Sequence, residues 1–122
     1  MRTPTFKDLV NFVLEHKDKY KDVFSCMSIE QVIGELRYRL DSGTLLYSTS
    51  TDGKINGMIG IEPDKSRKVL MVGSNLALTL ETLKSFALEA KKRWPDYPYF
   101  EGTKKGCRKI FSIDKLIKKL ST

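Results

Sequence analysis

The sequence predicts an α+β fold in one domain covering residues 1–122. Three observations carry that expectation. Two amphipathic helical patterns open the chain. A run of three strand patterns follows, separated by strong turn signals at Asp52-Gly53 and Pro63-Asp64. A third helical pattern then stops at Pro95 and gives way to a further strand. The chain has 122 residues, enough for a real core, and its 40% hydrophobic and 30% charged content is ordinary for a globular protein.

The first helix is expected over about residues 5–22. Phe6, Leu9, Val10, Val13 and Leu14 recur at helical spacing behind Thr5 as N-cap, and Lys17, Asp18, Lys19 and Lys21 make its end polar. In the second, Ser28 and Gln31 have the spacing of a capping box. Ile29, Val32, Ile33, Leu36 and Leu40 form its apolar stripe, Arg37 and Arg39 fall off the centre of that stripe, and Gly43 suits a left-handed cap.

Thr44 to Thr49 is rich in β-branched and aromatic residues and reads as a strand. The next is expected from Lys54 to Glu62, with Ile55, Gly57, Ile59 and Ile61 on one face and Asn56, Met58 and Gly60 on the other. Pro63 to Ser66 should turn the chain into a third strand, Arg67 to Val72, completing an antiparallel meander. The third helix is expected from Thr79 to Trp94, with Leu80, Leu83, Phe86, Ala87, Ala90 and Trp94 inward. Tyr97 to Gly102 reads as a strand, Lys104 to Gly106 as a turn and Arg108 to Phe111 as a short extended piece. Ser112 caps a last helix carrying Ile113, Leu116, Ile117 and Leu120. The helical stretch between the third and fourth strands is long enough for those strands to run parallel.

The net charge of +7 is unevenly placed. The tail, residues 103–122, holds Lys104, Lys105, Arg108, Lys109, Lys115, Lys118 and Lys119 against Asp114 alone, so nearly all the excess lies there. Such a patch favours phosphate-bearing partners, or serves as a solvated face. Aromatic Trp94, Tyr97, Tyr99 and Phe100 precede it, which fits either base stacking or packing of a helix end on a strand. Cys26 and Cys107 form no CxxC or Cys/His cluster, and the single histidine, His16, leaves a zinc site short of ligands. The sequence thus predicts no metal, two buried thiols and a surface histidine. Residues 1–5 show no apolar signal core and no run is long enough to span a membrane, so a cytoplasmic protein is expected.

This order of elements resembles the core of the GNAT superfamily of N-acetyltransferases: two N-terminal helices, an antiparallel β-meander, a crossover helix, a further strand, then here a short basic C-terminal helix. The resemblance covers about residues 5–102, without the first strand of the family, and looks most like the small divergent GNAT-like proteins of tailed bacteriophages. It implies that acetyl-CoA lies where the strand of residues 67–72 splays from the strand of residues 97–102. Val69, Met71, Gly73, Ser74 and Asn75 would then hold the cofactor, with the pyrophosphate over residues 73–79, although that loop has Gly73 as its lone glycine. Glu101 is the implied candidate base, and Tyr99 an aromatic neighbour and candidate catalytic group. An amine-bearing substrate would accept the acyl group. The alternative is a catalytically inactive virion-associated module that binds nucleic acid or phage structural proteins through Lys104, Lys105, Arg108, Lys109, Lys115, Lys118 and Lys119. Its place would be the host cytoplasm or the virion.

Overall fold

The computed structural model describes residues 3–16, 26–76, 79–104 and 107–121. Four helices and five strands follow in the order α1 (Phe6–His16), α2 (Ile29–Ser42), β1 (Leu45–Thr49), β2 (Ile55–Asp64), β3 (Val69–Leu76), α3 (Leu80–Arg93), β4 (Tyr99–Lys104), β5 (Cys107–Ser112) and α4 (Ile113–Leu120). The strands form one mixed sheet in sequence order, β1-β2-β3-β4-β5. Every neighbouring pair is antiparallel except β3 and β4, which run parallel because α3 crosses between them. No helix of the described residues is long and apolar enough to cross a membrane.

The helices start where their side chains satisfy free amides. Ser28 accepts from the Gln31 amide while the Gln31 side chain accepts from the Ser28 amide, and Thr79 and Thr82 reciprocate in the same way at α3. Thr5 and Asp8 form a similar pair ahead of α1. Gly43 closes α2 at φ 71°, a left-handed conformation in which a Cβ would be strained.

The sheet separates two apolar clusters. On one face α1 and α2 bring Leu9, Val13, Val32 and Leu36 onto Leu45, Met58 and Leu76. On the other, α3 and α4 bring Phe86, Ala87, Ala90 and Ile113 onto Leu46, Ile59, Ile61, Leu70 and Phe100. Strand β2 is thus covered on both faces, which its run from Met58 to Ile61 permits. Gly57 lets the first turn of α3 sit close to it. A Cβ there would stand 2.9 Å from Cγ2 of Thr82, which is itself buried.

Several expectations are corrected. Strand β3 runs on to Leu76, so Gly73, Ser74 and Asn75 belong to a strand and not to a phosphate loop. Strand β2 includes Pro63 and Asp64, and the turn falls at residues 65–68. The register with β1 shifts between Ser48 and Thr49, leaving Asn56 as the extra residue. Ile55 therefore packs with the α1–α2 cluster, opposite Ile59 and Ile61. Leu80 is 72% exposed, because the first turn of α3 presents Thr82 to the sheet instead. Both cysteines are exposed, not buried. His16 is half-buried, its ring against Phe12 and its Nδ1 2.9 Å from the Phe12 carbonyl oxygen. Residues 17–22, the expected end of the first helix, lie outside the described residues.

Candidate functional site

Strands β3 and β4 pair over a short stretch and then part. The parallel ladder joins Val69 to Tyr99, Leu70 to Phe100 and Met71 to Glu101. Beyond that point β3 continues to Leu76 and β4 to Lys104 with no further pairing between them. On its other side β3 stays laddered to β2 as far as Leu76. An extra residue, Gly73, is accommodated between Val72, opposite Ile61, and Ser74, opposite Gly60. A bulge of this kind bends its strand and sharpens the local twist. It lies just past the last pair with β4, where the parallel ladder ends.

Of the predicted cofactor residues, Met71 is the last paired position, and Gly73, Ser74 and Asn75 lie along the unpaired stretch. Val69 sits at the closed end of the seam and is 3% exposed. Tyr99, opposite Val69, is also at the closed end and is 43% exposed.

Glu101 stands at the mouth. Its carboxylate accepts from Arg67 Nη1 at 2.7 Å and from Arg108 Nε at 3.0 Å. The Arg67 hydrogen bond first, and then that of Arg108, hold its pKa below the ordinary glutamate value of 4.5. Arg67 also donates through Nε to Asp64 at 2.7 Å. Asp64 is the keystone of the β2–β3 turn: its carboxylate takes the Ser66 and Arg67 amides and the Ser66 hydroxyl, and with Arg67 foremost its pKa falls to about 2. One chain of charges therefore ties that turn to β4 and β5 at the point of divergence. Lys68, at φ 57°, adds a cation 5.4 Å from the Tyr97 ring centroid.

On the opposite flank of the bulge lies a residue that sequence reasoning passed over. Arg39 of α2 donates Nη1 to the Ile61 carbonyl at 2.8 Å and Nε to Glu35 at 2.9 Å. Its Nη2 stands 3.7 Å from where a Cβ on Gly73 would be. The trace it left in the sequence is the acidic Glu35 one helical turn earlier.

The basic tail is divided by the sheet. Phe100 and its partner Phe111 face α3 and α4, so alternation puts Lys109 on that face and Arg108 on the other, beside Glu101. Lys109, Lys115, Lys118 and Lys119 are exposed at the β5–α4 edge. Lys104 ends β4 opposite Cys107, and Lys105 lies outside the described residues. No family model, no curated protein and no solved structure matches this chain.

Proposed function

We propose that the chain is a GNAT-like N-acyltransferase domain that holds acetyl-CoA in the gap between β3 and β4. The observation carrying this reading is that the parallel ladder stops after Met71 and Glu101 while both strands run on. In the proposed complex the cofactor lies along Gly73 to Asn75, and the main chain of Asn75, which alternates away from β2, supplies hydrogen bonds to its amide-bearing arm. The thioester carbonyl takes an amide of the same segment, which stabilises the oxyanion as it forms. A neutral amine attacks the carbonyl carbon, the new C–N bond replaces the C–S bond, the thiolate leaves, and the proton lost by nitrogen passes to solvent. Glu101 enters as a positioning residue. Two arginines occupy its oxygens and keep it ionised, which makes it a poor acceptor for that proton. Tyr99 lines the closed end.

Calorimetric titration with acetyl-CoA tests the reading. Expected are measurable heat and a rise in melting temperature, since a ligand that binds the folded state at a hundred times its Kd adds about 2.7 kcal/mol. The absence of both heat and a melting shift at millimolar acetyl-CoA would remove it. A second reading is favoured by the exposed Lys109, Lys115 and Lys118 on one edge: an inactive module that docks nucleic acid or a virion protein there. It predicts no response to acetyl-CoA and binding that weakens steeply with salt.

A further inference from the structure

We propose that β1 is a homotypic docking edge, at which two copies of this chain join by antiparallel pairing of their β1 strands and extend the sheet across a two-fold axis. β1 and β5 are the two ends of the sheet. The Thr44 carbonyl accepts from the Ile61 amide at 2.8 Å, so by alternation Leu46 bonds to β2 while Leu45 and Tyr47 turn their amides and carbonyls outward. Among the described residues no donor or acceptor meets those outward groups. An open row of this kind is a template for another strand unless charge or proline guards it. The far edge is guarded by Arg108 and Lys109, whereas β1 reads Leu-Leu-Tyr-Ser-Thr, with neither charge nor proline.

The choice of a second copy as the occupant rests on charge. The chain carries +7, so two copies repel wherever their basic surfaces meet. Beside β1 the groove of about 300 Å³ is bordered by Leu45, Tyr47 and Phe86, and its two charges, Glu89 and Arg93, already pair with each other at 2.8 Å. The basic residues of β5 and α4 are at the opposite edge. Joined through β1, the two β5 edges would stand about 40 Å apart at the usual strand spacing of ~4.8 Å, several Debye lengths in physiological salt. Pairing one strand with its own copy is also closed by two-fold symmetry, leaving no β1 edge open for further growth.

The test combines sedimentation velocity from micromolar to hundreds of micromolar chain with amide hydrogen exchange. Expected is a shift from one-chain to two-chain mass, with exchange at Leu45 and Tyr47 slowed about tenfold or more at the concentrated end. Tyr47→Pro removes an outward amide and leaves the β2 ladder intact, and Thr49→Lys charges an exposed position of the edge. Each should return the chain to one-chain mass, and Thr49→Lys, with circular dichroism unchanged, decides the matter where the proline variant does not fold. A single-chain mass throughout overturns the proposal. So does a dimer that survives Thr49→Lys, or one in which Leu45 and Tyr47 exchange at the same rate at every concentration.

Discussion

Glu101 shows how a single carboxylate changes meaning once its neighbours are known. In the sequence it was the acidic residue of the fourth strand and a candidate base. In the fold its side chain is 12% exposed and engaged by two guanidinium groups. Because its pKa lies below 4.5, and that of Asp64 falls from 3.8 to about 2, both stabilise the fold fully above their unfolded values and lose that contribution as pH falls through their folded ones. Acid should therefore loosen the β2–β3 turn and the mouth of the gap together. A carboxyl-detected NMR titration is expected to place the Glu101 midpoint below 4.5 in the native chain and to move it up toward that value in Arg67→Met. A native midpoint at or above 4.5 would mean that the arginines do not clamp it.

At the level of elements, Arg39 solves a problem created where helix meets strand. The Thr44 amide would continue the β1–β2 ladder to the Ile61 carbonyl, but it is taken by the Arg39 carbonyl as part of the α2 cap. The guanidinium of the same residue then supplies the missing donor to Ile61. Arg39→Met leaves that carbonyl without a donor and is expected to cost about 1–3 kcal/mol in urea unfolding. Glu62→Gln breaks only the outer ion pair, whose carboxylate is 52% exposed, and is expected to cost no more than about 1 kcal/mol. Equal effects of the two would contradict this assignment. The contrast also marks what was legible in the sequence. Capping boxes at Ser28 and the left-handed Gly43 depend on residues a few positions apart, and both stand where local spacing put them. The parallel run of β3 and β4 was legible from the length of the helix between them. The bulges at Asn56 and Gly73 were not, because an extra residue shows only against the partner strand. A splay of these strands was expected from resemblance, but no local feature of the chain set the register that ends the ladder at Met71. Arg39 stayed hidden because its partner Ile61 is remote in sequence and becomes a neighbour only in the fold.

Across the whole molecule the two candidate surfaces are distinct. The β3–β4 ladder ends in the middle of the sheet, while the exposed lysines of the tail gather at the β5–α4 edge. Acetyl-CoA bears phosphates, so a basic edge alone would attract it weakly, and affinity by itself does not say where it sits. Charge reversal separates the surfaces. Changing Lys109, Lys115 and Lys118 to Glu alters only exposed positions and is expected to leave the melting shift with acetyl-CoA within about twofold in apparent affinity, roughly 0.4 kcal/mol. The same variant should lose retention on single-stranded DNA. In the native chain that retention falls with salt, and the slope of log affinity against log salt drops by about 1 for each lysine that meets a phosphate. If charge reversal instead abolishes the acetyl-CoA shift, the cofactor was held by the lysine edge. The end of the parallel ladder after Met71 would then have no ligand of its own.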